Sequence, residues 1–227
     1  MARNPAPQIT RQADQILAQR RMLNNPYFAS LKNGGMDLAQ FRRTQEQFYF
    51  AVTFYSRPMA VLMARLPDPS ARLDILRNVV EEHGEFRHQA FHQNTFAQFL
   101  KTLRSPVKDL SRLDLWPEVR AFNSVLVTSC LMDEIEVGVG CMGIIEYAFA
   151  EISEFIGKTV VARGWVPPRK LVHYSLHASL DKRHAADFFA VVERGWKNPA
   201  RRYFIRQGLE LGAYIFDRLY RDLHGHP

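Results

Sequence analysis

Long stretches without a helix-breaking residue are the feature that most constrains the fold of this chain. The sequence has 227 residues and only 12 glycines and 12 prolines, and most segments between them are longer than a typical β-strand. Such segments favour helices. We therefore expect an all-α protein in which residues 1–227 form one domain, a bundle of about seven helices.

Proline and glycine also predict where these helices begin and end. Pro58 should kink or split a long helix that begins near Asp37, and a break near Gly138 or Gly140 should precede the helix that carries Glu146. The expected helical segments are approximately 8–23, a short one from 26, one from 37, 70–103, one from 117, the segment around 146, 168–194 and a final helix after 199.

Composition and charge argue against several classes of protein. The formal net charge is +7, but the basic residues form no tail or stripe, so we expect no nucleic-acid binding. No apolar run approaches the ~20 residues that span a bilayer, and residues 1–12 lack the apolar core of a signal peptide. We expect a cytoplasmic protein without membrane contact. Cys130 and Cys141 suit neither a zinc site nor a disulfide framework, and we interpret them as reduced core residues.

Segment 168–194 carries a stripe of ionisable side chains. His177, Asp181 and His184 are spaced i, i+4 and i+7, which places them on one face of a helix. The same face continues through Tyr174 and Phe188, so it should point into the core. Burying an aspartate and two histidines is costly without partners. The stripe indicates a metal site, a hydrogen-bonded polar cluster or an exposed charged face.

Segment 70–103 has a second group of carboxylates and imidazoles. Glu81, Glu85, His88 and His92 would share one face if this segment is a continuous helix. Glu85-x-x-His88 matches the Glu-x-x-His pattern with which ferritin-like helical bundles bind iron. Gly84 costs about 1 kcal/mol relative to alanine in a helix, and space for a ligand would justify it. The alternative is a solvated helical turn.

Glu146 is the third element of the pattern. It is the one charged residue on an otherwise uncharged stripe of its helix, and a buried carboxylate needs a cation, a proton or an arginine partner. Together, carboxylates and imidazoles without thiolates suit Fe(II) or Mn(II) better than structural zinc. Two Fe(II) ions held in this way can deliver two electrons to O2.

These motifs resemble those of the haem-oxygenase-like di-iron oxidases and oxygenases, a family that includes CADD-like and UndA-like proteins and shares its fold with TenA and PqqC. The resemblance covers about residues 25–193. It implies a haem-oxygenase-like helical domain with two Fe(II) ions per chain (Mn being possible), O2 as co-substrate, an external reductant, a small-molecule substrate and a homodimer. The residues it implies as metal ligands and catalytic residues are Glu81, His88, Glu146, His177, Asp181 and His184, and Glu85 could replace or supplement Glu81.

The CADD-like branch of this family is linked to making para-aminobenzoate from one of the protein's own tyrosines. Tyr27 and Tyr55 are the candidates here, although Phe28 can also be aligned with the family tyrosine. The lysine of that branch is not matched, since Ile156 stands at its place and Lys158 lies nearby. Self-sacrificing synthesis is therefore a hypothesis that the resemblance raises.

Two other functions remain open. One is a metal-free enzyme of the same fold, either a TenA-like hydrolase with a cysteine nucleophile or a PqqC-like oxidase; neither cysteine is expected beside Glu146. The other is a non-enzymatic binding protein with an exposed apolar stripe, for which the last helix is the candidate, although we expect it to pack on the core. Substrate specificity should come from residues near Tyr49, Phe50, Phe54, Met142 and Phe149, and Tyr147 and Tyr174 could support the ligands.

Overall fold

The computed structural model describes residues 7–226, and within this range the chain contains α-helices and short 3-10 turns but no strand. The all-α prediction is confirmed, whereas residues 7–226 contain ten α-helices rather than about seven. The helices are α1 Gln8–Arg20, α2 Pro26–Asn33, α3 Leu38–Phe54, α4 Ser56–Arg65, α5 Pro69–Glu82, α6 His92–Thr102, α7 Pro117–Leu131, α8 Ile135–Ala162, α9 Val172–Glu193 and α10 Pro199–Gly225.

Pro58 divides one predicted helix as expected. α3 ends at Phe54 and α4 begins at Ser56, because the proline ring excludes the carbonyl four residues earlier and has no N–H to donate. The prediction that Pro58 kinks or splits this segment is confirmed.

The predicted continuous helix over 70–103 is wrong. α5 ends at Glu82, and Gly84, Glu85 and Phe86 then have φ values of 57°, 52° and 67°, a left-handed run that no α-helix accommodates. A Cβ at Gly84 would lie 2.5 Å from the carbonyl carbon of Ala90, so the turn folds tightly onto itself. The chain becomes helical again only at His92, and the single face predicted for residues 81–92 does not exist.

The break before the helix that carries Glu146 lies earlier than predicted. α7 ends at Leu131 and α8 begins at Ile135, so Gly138 and Gly140 lie inside a continuous helix. Gly140 permits close packing instead, since a Cβ there would lie 2.8 Å from the backbone oxygen of Ile205 on α10.

α8 is the central helix of the core and packs along both α9 and α10. One connected apolar cluster extends from Ile9 near the start of the chain to Leu223 near its end. α10 buries Ile205 and Leu209 against this core, as expected. Cys130 and Cys141 are free and buried. None of the helices between residues 7 and 226 combines the length and apolar character needed to cross a membrane.

Candidate metal centre

A cluster of buried carboxylates and imidazoles lies where α5, α6, α8 and α9 meet. Ligand atoms of Glu82, Glu146 and His184 all lie within 4.8 Å of one another, an arrangement that could hold a metal ion. Three further ionisable side chains complete the cluster. Its six members, all buried, are Glu82, His92, Glu146, His177, Asp181 and His184.

α9 supplies the largest share of this cluster. His177, Asp181 and His184 lie on its inward face, as their i, i+4 and i+7 spacing predicts. His177 Nδ1 lies 2.8 Å from Asp181 Oδ1, and His184 Nδ1 lies 3.6 Å from Glu146 Oε2 on α8. The structure thus brings together four of the six residues that the family resemblance implied as ligands.

The other two cluster residues, Glu82 and His92, come from the ends of α5 and α6. Glu82 Oε1 and His92 Nδ1 are 2.7 Å apart, because the left-handed turn after Glu82 returns the chain so that α6 begins beside the end of α5. The sequence placed His92 on the same predicted face as Glu81 but not among the implied ligands, and Glu82 was not singled out. The signal was available on α5, where Ile75, Asn78 and Glu82 form the buried stripe.

The other two implied ligands, Glu81 and His88, are not among the six members of the cluster. Glu81 lies at its edge, where its carboxylate accepts hydrogen bonds from Arg183 and, at 2.7 Å, from His184 Nε2. His88 is exposed on the turn before α6. Glu85 is also exposed and pairs with Arg87 at 2.9 Å. The left-handed run at 84–86 explains this placement, since it removes the helical register that the interpretation assumed.

Several ligand atoms of this cluster have no hydrogen-bond partner within residues 7–226. Nε2 of His177, Nδ1 of His184, Oε1 of Glu146 and Oδ2 of Asp181 are buried and have no hydrogen-bond partner among the described residues. Buried unsatisfied polar atoms are rare and cost about 1–3 kcal/mol each. Four of them at one place, all metal-ligating atom types, fit a bound cation better than an ordinary polar core.

The pKa values of the cluster residues are also compatible with a metal site. Burial, and secondly the neighbouring Asp181 charge, raises the pKa of Glu146 to about 7, and burial raises the pKa of Asp181. Burial lowers the pKa of His184, but its interactions with Glu146 and Glu81 outweigh this effect and raise it to about 10. Without a metal, the protein therefore holds protons at positions where a cation would compensate the carboxylates.

His184 is oriented by a partner outside the cluster. Its Nε2–H donates to Glu81 at 2.7 Å, which leaves Nδ1 facing Glu146 and Asp181. Arg183 donates to the same Glu81 carboxylate. A carboxylate that fixes the far nitrogen of a histidine is the usual support of a metal-bound imidazole.

A largely apolar cavity adjoins the cluster. This cavity has a volume of about 40 Å³, room for a few water molecules, and Glu82, Glu146 and His177 form its polar side. The remaining lining residues are Phe48, Ala51, Val52, Tyr55, Phe122, Ile145, Phe149, His173 and Phe216. Of the residues expected near the substrate, Phe149 lines this cavity, whereas Tyr49, Phe50, Phe54 and Met142 do not. The α3 residues that reach it lie on the adjacent face of that helix.

The tyrosines singled out in the sequence occupy different surroundings. Tyr55 lines the cavity, and its hydroxyl donates to the backbone oxygen of Met142 at 3.3 Å. Tyr27 is fully buried elsewhere, with its hydroxyl 2.9 Å from Thr44 Oγ1. Gln45 connects it to Tyr174, since Gln45 donates to Tyr27 and accepts from Tyr174. Tyr147 instead donates to Asp14 on α1 at 2.8 Å.

Neither cysteine is suited to be a nucleophile. Burial raises the pKa of the Cys141 thiol to about 12 and that of the Cys130 thiol still further. The thiolate is the reactive form of cysteine. Both thiols therefore stay protonated at neutral pH, which argues against a hydrolase that uses either of them.

Curated relatives of this chain share low sequence identity over most of its length. A 4-aminobenzoate synthase of Nitrosomonas europaea is 23% identical over 202 residues, which cover 84% of this chain and 80% of that protein. A 4-aminobenzoate synthase of Chlamydia muridarum is 21% identical over 183 residues, which cover 80% and 76%.

Solved structures show the same fold. A CADD-like protein of unknown function from Nostoc punctiforme superposes with a TM-score of 0.77 at 16% identity, covering 96% of both chains. A TenA homologue from Pseudomonas syringae has a TM-score of 0.76 at 14% identity and covers 98% of both. A Shewanella denitrificans domain described as having a haem-oxygenase-like fold has a TM-score of 0.72 at 14% identity, covering 95% of this chain and 88% of that one. At these identities the likeness establishes the haem-oxygenase-like fold alone.

The family assignment comes from the sequence profile. The profile described as "iron-containing redox enzyme" matches residues 42–212, which include all six members of the buried cluster. Because the match spans well over half of the sequence, the chain belongs to this family of iron-containing redox enzymes.

Proposed function

We propose that this protein is a non-haem di-iron oxidase or oxygenase that activates O2 to oxidise a small molecule. The observation that carries the proposal is the set of unpartnered buried ligand atoms on Glu146, His177, Asp181 and His184. A structural polar network would satisfy these atoms internally.

The donor set of the cluster fits iron. Glu82, Glu146 and Asp181 supply three carboxylates, and His92, His177 and His184 supply three imidazoles. Hard carboxylate oxygens and imidazole nitrogens without thiolate suit Fe(II) and Mn(II). With three ionised carboxylates and neutral histidines, two divalent ions would leave a net charge of +1 and one ion would leave −1, so the number of donor side chains rather than the charge favours two ions.

Each part of the site has a role in this account. The six cluster residues would hold the metal, with Glu146 placed centrally on α8 between His184 and the cavity. When bound, Fe(II) supplies electrons to O2. Glu81 and Arg183 position His184. The phenylalanines of the cavity wall exclude water, which protects an oxidising site from side reactions.

An anaerobic Fe(II) titration tests the proposal. The apoprotein should take up about two ions per chain, as the six-residue donor set requires, and mixing with O2 in a stopped-flow spectrometer should produce a transient visible absorption band. Asp181→Ala should lose both the uptake and the band. His88→Ala, on the exposed turn, is the matched control and should retain both. No stoichiometric iron uptake by the parent protein would refute the proposal.

A narrower candidate is synthesis of 4-aminobenzoate from one of the protein's own tyrosines. Two observations favour it: the curated relatives are named 4-aminobenzoate synthase, and Tyr55 lines the cavity beside Glu82 and Glu146. Tyr27 is held apart by Thr44 and Gln45, so we place Tyr55 ahead of it. Lys158 is exposed and pairs with Glu154, which gives it no place at this cavity.

Product analysis tests this narrower candidate. Pure protein given Fe(II), a reductant, O2 and an ammonium salt as a source of the amino nitrogen should release 4-aminobenzoate and lose mass from its own chain. Tyr55→Phe should abolish the product, and Tyr27→Phe should retain it. The absence of product together with an unchanged intact mass would reject self-sacrifice while leaving the broader oxidase proposal standing.

A further inference from the structure

A histidine outside the six-residue cluster faces the cavity. His173 lies on α9 one turn before His177, is fully buried and lines the cavity. The centroid of its ring lies 4.7 Å from the ring centroid of Phe96 and 4.3 Å from that of His177. No carboxylate is paired with it in the part of the chain that the structure describes, which separates it from the three cluster histidines.

The hydrogen bonds around His173 determine which of its nitrogens carries the proton. Thr95 has one hydroxyl proton, and it donates that proton to the backbone oxygen of His92 at 2.9 Å. Thr95 Oγ1 also lies 3.0 Å from His173 Nδ1. With the hydroxyl proton on the carbonyl of His92, Thr95 accepts this second bond and His173 carries its proton on Nδ1, the tautomer that the proposal below requires.

The other nitrogen of His173 is consequently an acceptor without a partner. Nε2 of the neutral ring has a free lone pair, and no described residue hydrogen-bonds to it. A donor that reaches this atom would remove the penalty of an unsatisfied buried acceptor.

The surroundings of His173 distinguish a substrate contact from a metal ligand. Each cluster histidine lies beside a cluster carboxylate, His92 at 2.7 Å from Glu82, His177 at 2.8 Å from Asp181 and His184 at 3.6 Å from Glu146, whereas Nδ1 of His173 contacts the hydroxyl of Thr95. The cavity surface beside His173 is formed largely by Phe48, Phe149 and other apolar side chains.

We propose that His173 binds the substrate, by accepting a hydrogen bond from the hydroxyl or amine group of a small, largely apolar molecule. The cavity holds only about 40 Å³ in this structure, so the phenylalanines would have to move apart to bind the apolar body of this molecule, while His173 fixes its polar end and so its orientation towards the cluster. The inference rests on the proposed function in calling this molecule a substrate, but the binding contact itself requires no metal.

Paired probes test the contact in metal-free protein. Phenol carries one hydroxyl donor on an aromatic ring, and fluorobenzene has nearly the same shape without a donor. Saturation-transfer NMR titrations would give both dissociation constants. In His173→Phe we expect phenol to bind about tenfold more weakly, the effect of one buried hydrogen bond, and fluorobenzene to bind within about twofold of its affinity for the parent protein.

Two further variants separate loss of the hydrogen-bond acceptor from other effects of the substitution. His173→Gln retains an acceptor and should restore much of the preference for phenol, and His88→Phe, an exposed histidine, should change neither affinity. Equal loss of both probes in His173→Phe with an unchanged thermal midpoint would overturn the inference, as would unchanged phenol binding. Loss of iron uptake in His173→Phe would also overturn it, because His173 would then be a metal ligand.

The tautomer has an independent readout. Two-bond proton–nitrogen correlation spectra of histidine-labelled, metal-free protein distinguish the Nδ1–H from the Nε2–H form. We expect the Nδ1–H form for His173, and a shift of its Nε2 resonance when phenol is added. An Nε2–H tautomer would contradict the proposal. Neither result depends on iron, so failure here remains distinct from failure of the oxidase proposal.

Discussion

Glu82 and His92 belong to different helices, yet Glu82 Oε1 and His92 Nδ1 lie 2.7 Å apart in the buried cluster. This pair depends on the left-handed turn between α5 and α6, because the turn brings the start of α6 back to the end of α5. A continuous helix would carry His92 away from Glu82 along the helix axis.

The first prediction separates His92 from His88. His92→Ala should lose at least one of two bound Fe(II) ions, because it removes an imidazole from the cluster, whereas His88→Ala should keep both because His88 is exposed. Iron analysis after anaerobic loading and desalting measures this difference. If His92→Ala retained two iron ions and His88→Ala lost iron, the prediction would be wrong, and His88 would be the ligand, as the family resemblance implies.

The second prediction concerns Glu81 as a positioning residue. Glu81→Gln should weaken Fe(II) binding by about 10–100-fold, because loss of the partner of a metal-bound histidine has this effect, while the number of ions bound at saturation stays the same. Glu85→Gln, on the exposed turn, is the matched control and should leave the affinity unchanged. A reduced number of ions in Glu81→Gln would make Glu81 a ligand.

The third prediction is proton release on metal binding. Ligands must be unprotonated to bind metal, and in the metal-free protein the pKa of His184 is raised to about 10 and that of Glu146 to about 7. Metal uptake at pH 7 should therefore release more than one proton per chain, and affinity should rise as pH increases from 6 to 8. Anaerobic calorimetry in two buffers of different ionisation enthalpy measures the release. A heat that does not depend on the buffer would contradict it.

The fourth prediction concerns the packing of α8 against α10. A Cβ at Gly212 would lie 2.4 Å from the backbone oxygen of Cys141, so Gly212→Ala should lower the free energy of unfolding by about 1–3 kcal/mol, the usual cost of overpacking. Urea denaturation measures this change. Gly225→Ala is the control: a Cβ there meets nothing within 4 Å, and alanine favours helix. Equal effects in both variants would mean that the close approach does not matter.

The sequence predicted those members of the buried cluster that lie on regular helices, while their role as metal ligands stays a prediction. His177, Asp181 and His184 were found because helical spacing holds along α9, and Glu146 because it is an isolated charge on a buried stripe. Helical spacing failed at residues 84–86, where Gly84, Glu85 and Phe86 all have positive φ. Only glycine among them is a recognisable signal of such a turn, so the approach of His92 to Glu82 was not predictable from spacing.

The cavity wall was predicted less well for a similar reason. Tyr49, Phe50 and Phe54 of α3 were the pocket candidates, but the cavity is lined instead by Phe48 of that helix and by Tyr55, which directly follows it. Nearly every position of α3 near its end is apolar or aromatic, so the sequence carries little contrast to mark which face points inward. Packing against α6 and α7 decides the rotation of this helix.

Anomalous diffraction at the iron absorption edge, from crystals grown anaerobically with Fe(II), tests the central claim most directly. We expect two iron peaks inside the bundle, within coordination distance of the cluster, with Glu146 and His184 next to iron and His88 remote from it. A single peak, peaks on the surface turn at 84–90 or no iron peak at the cluster would contradict a di-iron centre.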